Sequence, residues 1–252
     1  MFSIAALVPS PPILVPELGG GVAHSSGADP ADPPAVLRAA VLSAAGALAG
    51  VAQRWTVLGS GAADQVIEPE TVGTFRGFGV DVRVALDDVT VAPPDPQLPL
   101  PVLIAGWLRG QVAPRAHVEA WLVAADSPAD HCAELGAKLR AELDSDDVPR
   151  GVLVVADGAA TLSLKAPGYL DERAAEVQEN LDRALSAGDR AGLLALDPSL
   201  CAELSVSGRA AYQALAGLFG ADPTDPTVVT HYRDAPFGVG YHVSVWRPGG
   251  AK

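Results

Sequence analysis

The chain has 252 residues, of which 49% are hydrophobic and 19% charged, a balance that argues against disorder despite 22 prolines. Its 17 basic and 30 acidic residues give a formal charge of −13, which repels nucleic-acid phosphates and anionic lipid surfaces. Composition therefore excludes nucleic acid and membrane as expected partners, and the length suits one large domain or two small ones.

The first part of the chain predicts a βαβ unit. Residues 2–8 are a short apolar run stopped by proline, which is typical of a buried strand. Residues 36–53 have an alanine-rich helical pattern behind Asp32, a candidate N-cap, and residues 55–58 resemble a second buried strand. A strand, a helix and a strand in this order predict parallel pairing with a right-handed crossover.

The rest of the chain alternates predicted strands and helices. Residues 151–156 are nonpolar throughout, which is typical of a central strand, whereas residues 80–86 alternate like an edge strand. The remaining elements are predicted helices over 98–112, 127–143 with Ser127 as N-cap, 170–187, 189–196 and 199–219, and predicted strands over 118–124, 227–232 and 239–246. This order predicts an α/β fold, a single domain over residues 1–252 with a mostly parallel central sheet flanked by helices on both faces.

The amino-terminal segment and the cysteines indicate a cytoplasmic protein. The first 20 residues lack a basic region, and prolines from Pro9 onward interrupt their apolar run before it could span a bilayer. Cys132 and Cys201 are far apart, with no CxxC spacing, so two buried free thiols are expected.

Common catalytic motifs are absent from the sequence or incomplete. Residues 59–64, GSGAAD, lack the third glycine of a dinucleotide loop and predict a tight turn. Neither a GxSxG elbow nor an HExxH zinc motif occurs, and the five histidines have no ligand spacing. His231 and His242 could meet if the last two strands pair, but separate surface or core histidines are the favoured interpretation.

Ligands of open α/β sheets bind at the carboxyl ends of the strands. Three predicted strands are followed there by Pro9-Ser10-Pro11, by Gly59-Ser60-Gly61 and by Asp157-Gly158-Ala159. These segments are the first candidates for a binding cleft.

Four segments together resemble the LigB-like branch of the class III extradiol ring-cleavage dioxygenase family, which is related to the Memo proteins. They are AALVPSPPILVPELGG from Ala5, VLVVADGAATLSLKAPGYLDERAAE from Val152, SGRAAYQALAGLFG from Ser207 and DAPFGVGYHVSVW from Asp234. The resemblance spans most of the chain and implies an iron(II) centre held by two histidines and a glutamate, with a further histidine as acid and base.

The positions that match those four groups carry other residues. The first ligand position is occupied by Ser10, and the second falls at Ser60 or Gly61. The glutamate falls near Arg209 or Ala210, and the catalytic histidine falls near Ala160 or Thr161. Hydroxyl and guanidinium groups are poor replacements for imidazole and carboxylate on iron(II), so no catalytic residue, metal ligand or cofactor is predicted.

The favoured interpretation is a non-catalytic binding or scaffold protein that keeps the fold and uses the old cleft. Its partner would be a small molecule or a protein, and a homodimer through an apolar patch is compatible with the charge. The expected cleft-binding residues are Ser10, Ser60, Asp157, Thr161, Lys165 and Arg209.

Two enzymatic alternatives stay open. An active iron(II) dioxygenase would need other ligands, with His24, His231, His242 and Glu17 as candidates. An enzyme of different chemistry would use Lys165, Asp157 or Arg209 on an anionic substrate in the same cleft.

Overall fold

Seven strands form one mixed sheet whose four central strands are parallel, in a computed structural model that describes residues 1–19 and 32–249. The strands are β1 (Phe2–Val8), β2 (Arg54–Gly61), β3 (Gln65–Ile67), β4 (Val72–Thr74), β5 (Arg83–Ala85), β6 (His117–Ala124), β7 (Arg150–Val155), β8 (Thr227–Asp234) and β9 (Tyr241–Arg247). The sheet order is β3-β6-β2-β7-β1-β9-β8, and β4 pairs with β5 in a separate small sheet. The outer strands β3, β9 and β8 pair antiparallel with their neighbours.

Helices cover both faces of this sheet. They are α1 (Pro33–Ala49), α2 (Leu100–Val112), α3 (Ala129–Leu143), α4 (Ala174–Ala187), α5 (Arg190–Leu194), α6 (Pro198–Glu203) and α7 (Arg209–Leu218). One core cluster packs α1 and α2 against one face, and a second packs α3, α4 and α7 against the other. The predicted α/β fold with helices on both faces is confirmed. No helix among the described residues is both long and apolar enough to cross a membrane.

The central strands form where the sequence is apolar without interruption. Every residue from Gly151 to Val155 of β7 is buried, because β7 lies between β2 and β1 and is covered by helices on both faces. In β1, six of the seven residues are buried for the same reason. These two strands bring the segments that follow them to the same edge of the sheet.

Asp32 occupies the predicted N-cap position of α1, whereas the predicted N-cap of α3 is wrong. The side chain of Asp32 makes no capping hydrogen bond at the start of α1, where Pro33 and Pro34 occupy the first turn. Pro128 rather than Ser127 occupies the cap position of α3, and the Ser127 carbonyl accepts a hydrogen bond from Arg209.

The predicted helix over 199–219 is two helices. The chain turns after α6 at Ser205, whose φ of 54° is left-handed, and the Val206 amide donates to the Cys201 carbonyl at 2.8 Å. Helix α7 then begins at Arg209. The break exposes Ser207, which the sequence pattern places inside a helix.

The predicted edge strand over 80–86 is a shorter strand in a different sheet. Only Arg83–Ala85 form β5, which pairs with β4, and neither β3 nor β4 was predicted. All three are three residues long, too short to display the alternation by which a strand is recognised.

Candidate functional site

A cleft of about 310 Å³ opens at the carboxyl ends of β1, β2 and β7. We call it the Asp157 cleft. Ser10, Ser60 and Asp157 come from the segments that follow or end these three neighbouring strands, as the strand order requires, and Ser207 comes from the loop before α7. Its lining residues are Ser10, Ser60, Gly61, Leu100, Pro101, Ala125, Val155, Ala156, Asp157 and Ser207.

Ser10 and Asp157 are joined by two hydrogen bonds across the cleft. The Ser10 amide donates to Asp157 Oδ1 at 2.8 Å, and the Ser10 hydroxyl donates to Oδ2. Burial of the carboxyl group raises the pKa of Asp157, and the two bonds from Ser10 offset part of that increase. The loops after β1 and β7 are thereby fixed relative to each other.

The Ser60 hydroxyl has no hydrogen-bond partner among the described residues, although its oxygen is buried. The preceding Gly59 allows α2 to pack closely, since a Cβ there would lie 2.8 Å from Pro101 Cβ. A buried hydroxyl without a partner loses free energy on the order of 1–3 kcal/mol, which a ligand group could restore. Ser60 is therefore a polar group that the fold leaves available in the cleft wall.

The other three predicted cleft residues do not line this cleft. Thr161 is buried and donates to the Leu204 carbonyl at 3.2 Å, while Lys165 is exposed outside the cleft. The buried Arg209 guanidinium donates to the carbonyls of Ala125 and Ser127 and, at 2.8 Å, to the side chain of Gln213.

The geometry of Arg209 and Lys165 leaves the Asp157 cleft without a lining cation among the described residues. Arg209 is 3% exposed, and both terminal nitrogens of its guanidinium group donate to carbonyls of the loop before α3, which connects α7 to that loop. The sequence does not reveal the structural role of Arg209, because residue type alone does not distinguish a buried structural arginine from a ligand-binding one.

The residues present do not fit the iron(II) centre that the family resemblance implies. The Asp157 cleft offers one carboxylate and several hydroxyls, and that carboxylate is already hydrogen-bonded to Ser10. Within residues 1–19 and 32–249, no three histidine, cysteine, aspartate or glutamate side chains are grouped in a way that could hold a metal ion. A set of one carboxylate and hydroxyls lacks the imidazoles that this class of iron site uses.

The alternative ligand set is not assembled among the described residues either. Glu17 and His231 are exposed, whereas His242 is 1% exposed and lies against α4. The fourth candidate, His24, lies outside the described residues. The prediction that three of these groups converge is therefore not met by Glu17, His231 and His242.

A buried polar network supports the loop that carries Asp157. Gln178 of α4 accepts from the Ala159 amide at 2.9 Å and donates to Asp182 at 3.1 Å. His242 Nδ1 lies 3.3 Å from the same Asp182 oxygen. The sequence does not reveal this network, because the charged pattern of α4 is typical of a solvated face.

A larger cavity of about 500 Å³ lies beside β3 and α3. In it, Asp64 accepts the Ala124 amide at 2.8 Å and lies 2.6 Å from His131 Nε2, and both contacts hold the pKa of the Asp64 carboxyl below its ordinary value. Lys138 lies 5.2 Å above the ring of Trp121. The tight turn predicted over Gly59 to Asp64 is wrong for residues 59–61, which form the end of β2, and the sequence does not predict the pairing of Asp64 with His131.

Comparison with known proteins bears on the fold alone. No family model matches the chain, and no curated protein matches it. A solved structure, that of the uncharacterized protein JW3007 from Escherichia coli K12, is similar with a TM-score of 0.53 and 13% sequence identity. The similarity covers 97% of this chain and 99% of that one, so the whole architecture is shared.

Proposed function

We propose that this chain is a class III extradiol dioxygenase-like protein that lacks the iron site and binds a small uncharged molecule in the Asp157 cleft. The observation that carries the proposal is the set of two hydroxyls and one carboxylate at three adjacent strand ends, with the Ser60 oxygen buried and unpartnered among the described residues. The family assignment rests on the four sequence segments named above.

The lining of the cleft defines the chemistry of the ligand. Leu100, Pro101 and Val155 offer an apolar wall, while Ser60 and Asp157 lie among the polar groups. A ligand with an apolar body and one or two hydroxyl groups satisfies both walls, because its hydroxyls can donate to the carboxylate and bond with Ser60. An anionic substrate is disfavoured, since the cleft presents a carboxylate and no lining cation within the part of the chain that the structure describes.

The test is metal-free ligand binding with catechol as the hydroxylated probe and benzoate as its anionic counterpart. Titrations use the full chain with chelator present, followed by calorimetry. We expect saturable binding of catechol, weak or no binding of benzoate, and an approximately tenfold weaker catechol affinity in Ser60→Ala, since one hydrogen bond is lost. Ser43→Ala, on the exposed face of α1, is the matched control and should bind as the wild type does.

A second arm tests whether the protein is an enzyme. Iron(II) is titrated anaerobically, and oxygen uptake is then measured with catechol or protocatechuate. Stoichiometric iron binding with oxygen consumption would overturn the non-catalytic proposal. Equal catechol affinity in the wild type and Ser60→Ala, or no catechol binding, would overturn the assignment of the cleft.

A further inference from the structure

Three basic side chains stand in a row at the amino ends of three neighbouring parallel strands. Arg54 of β2 is the register partner of both His117 of β6 and Arg150 of β7. Residues at one register of parallel strands project from the same face, and adjacent strands lie about 4.8 Å apart. We call Arg54, His117 and Arg150 the basic row. It lies at the amino ends of the central strands, whereas the Asp157 cleft lies at their carboxyl ends.

A cavity of about 200 Å³ lies at the basic row. A water molecule takes about 30 Å³ of the liquid, so this volume suits a group of a few heavy atoms. The residues that line it are Arg54, Trp55, Thr56, Pro69, His117, Glu119 and Arg150. The three residues of the basic row therefore line a cavity rather than a flat surface.

Arg54 is not neutralised by an ion pair within the described residues, whereas Arg150 is paired with Asp146. Among the described residues, neither Arg54 nor His117 has an acidic partner within 4.0 Å, although the chain contains 30 acidic residues. Like charges opposite each other on neighbouring strands are destabilising. Asp146 offsets part of this repulsion at Arg150, and a bound anion would offset more of it.

Arg150 is held in place and still has a donor to spare. Its Nη2 lies 2.6 Å from Asp146, which orients the guanidinium group. Its Nε is buried and has no hydrogen-bond partner among the described residues. An unpartnered buried donor on a fixed guanidinium is a group that an oxyanion can satisfy.

Glu119 is the one carboxylate among the described residues of the cavity wall. It accepts a hydrogen bond from the Thr56 hydroxyl at 3.0 Å, which holds its carboxylate beside β2. Of the two lining guanidinium groups, Arg150 is paired with Asp146, and Arg54 has no acidic partner within 4.0 Å among the described residues. Because Glu119 is next to the row, it favours a compact anion bound toward Arg54 and Arg150.

We propose that the basic row binds a small oxyanion of the phosphate class, either free phosphate or a phosphate monoester. Guanidinium groups present parallel N–H donors that match two oxygens of such an anion. The inference is independent of the proposed function of the Asp157 cleft, because the two sites lie at opposite ends of the central strands and share no lining residue among those described.

The experiment titrates the full chain with inorganic phosphate and with glycerol 3-phosphate at low ionic strength, with glycerol as the uncharged probe. We expect saturable binding of at least one anion, no binding of glycerol, and a dissociation constant about tenfold higher in Arg54→Gln. Arg83→Gln removes another exposed arginine, in β5, and is the matched control, which should leave the affinity unchanged. Binding should weaken with added salt, as expected for partly exposed charges.

The outcomes distinguish free phosphate from a phosphate monoester as the ligand, and two of them would contradict the proposed site. Tighter binding of glycerol 3-phosphate than of phosphate assigns the row to a monoester, and the reverse assigns it to the free ion. Absence of binding at ~10 mM of either anion, equivalent to a free energy weaker than about −3 kcal/mol, would overturn the proposal. Equal weakening by Arg54→Gln and Arg83→Gln would overturn it as well, since it would show general charge attraction. Arg54 is exposed, so the variant is expected to fold, which its circular dichroism spectrum checks.

Discussion

At the scale of single residues, side chains of the same type have opposite roles in this protein according to the partners they meet. Arg209 is buried and both terminal nitrogens of its guanidinium group are hydrogen-bonded, whereas Arg54 is exposed and has no acidic partner within 4.0 Å among the described residues. Ser10 is fixed by a carboxylate, and the Ser60 hydroxyl has no partner in the described part of the chain. Binding capacity therefore follows from unsatisfied hydrogen-bonding groups more than from residue identity.

Replacement of Arg209 by methionine tests its structural role. The carbonyls of Ala125 and Ser127 and the side chain of Gln213 would lose their donor inside the protein, so we expect a loss on the order of 2–4 kcal/mol in the free energy of unfolding. Urea denaturation of the wild type and the variant measures this difference in the free energy of unfolding.

The matched control for Arg209→Met is Arg183→Ala, which removes an exposed arginine 3.2 Å from Glu179 within α4. Such surface pairs contribute less than about 1 kcal/mol, so the control should remain close to the wild type. Similar stability of the two variants would contradict the structural role of Arg209.

The Asp157 carboxyl group predicts a specific dependence of stability on pH. Burial raises its pKa in the folded protein above the value of 3.8 that an ordinary aspartate has, and the bonds from Ser10 offset part of the increase. The folded state then binds the proton more tightly than the unfolded state, so its contribution to stability is complete below pH 3.8 and is lost as pH rises through the raised pKa.

Comparison of the wild type with Asp157→Asn isolates this contribution. We expect the wild type to lose stability relative to the variant as the pH increases from about 4 toward neutrality. Chemical denaturation at a series of pH values measures the difference, and the other carboxyl groups cancel because both proteins contain them. A difference that is constant with pH would show that the pKa of Asp157 is not shifted.

At the scale of elements, the contact of α3 with α7 brings two helix backbones together at glycines. A Cβ at Gly136 of α3 would lie 1.9 Å from the carbonyl oxygen of Ala214, and one at Gly217 of α7 would lie 2.1 Å from that of Ala133. Each helix therefore presents a glycine to the backbone of the other. Backbone atoms cannot move aside as a flexible side chain can, so the contact tolerates no added atom.

We predict that Gly136→Ala destabilises the protein by about 3 kcal/mol or more, because overpacking here displaces two helix backbones. Gly46→Ala in α1 is the control, since nothing lies within 4 Å of its added Cβ among the described residues. That control should gain on the order of 0.5–1 kcal/mol from helix propensity. Thermal unfolding of both variants decides the prediction, and a neutral Gly136→Ala would show that α3 and α7 are further apart.

The elements that the sequence predicted best are those that depend least on distant partners. Continuous apolar runs identified β1 and β7, and the strand-end rule then placed Ser10 and Asp157 in one cleft. The break at Ser205 escaped prediction, because apolar periodicity continues across it into α7. The binding partners of Arg209 also escaped it, since they depend on how α7 packs against the loop before α3.

At the scale of the whole molecule, the two thiols report on global opening. Cys132 and Cys201 are both buried and free, as the sequence predicted. Burial raises the pKa of Cys201 to about 11 and that of Cys132 above its ordinary value, so little thiolate is present near neutral pH.

We expect both thiols to react slowly with a disulfide reagent in the native protein and at once in denaturant. The native rate should follow the rate or extent of unfolding when urea is varied, because neither sulfur is accessible without it. Gly136→Ala should accelerate the reaction if it destabilises the protein as predicted, and Gly46→Ala should not. Rapid reaction of either thiol in the stable native state would contradict its burial.

The place of β1 in the sheet sets the order in which this fold can be completed. β1 lies between β7 and β9, and Ala5 pairs with Trp246 nearly the whole length of the chain away. During synthesis, β1 therefore leaves the ribosome long before β7 and β9. Until those strands are made, its backbone groups and apolar side chains have no partner in the sheet. Contacts this distant along the chain slow folding and expose intermediates to aggregation. Conditions that favour folding after release, such as low temperature and slow expression, should increase the yield of native protein in a cell.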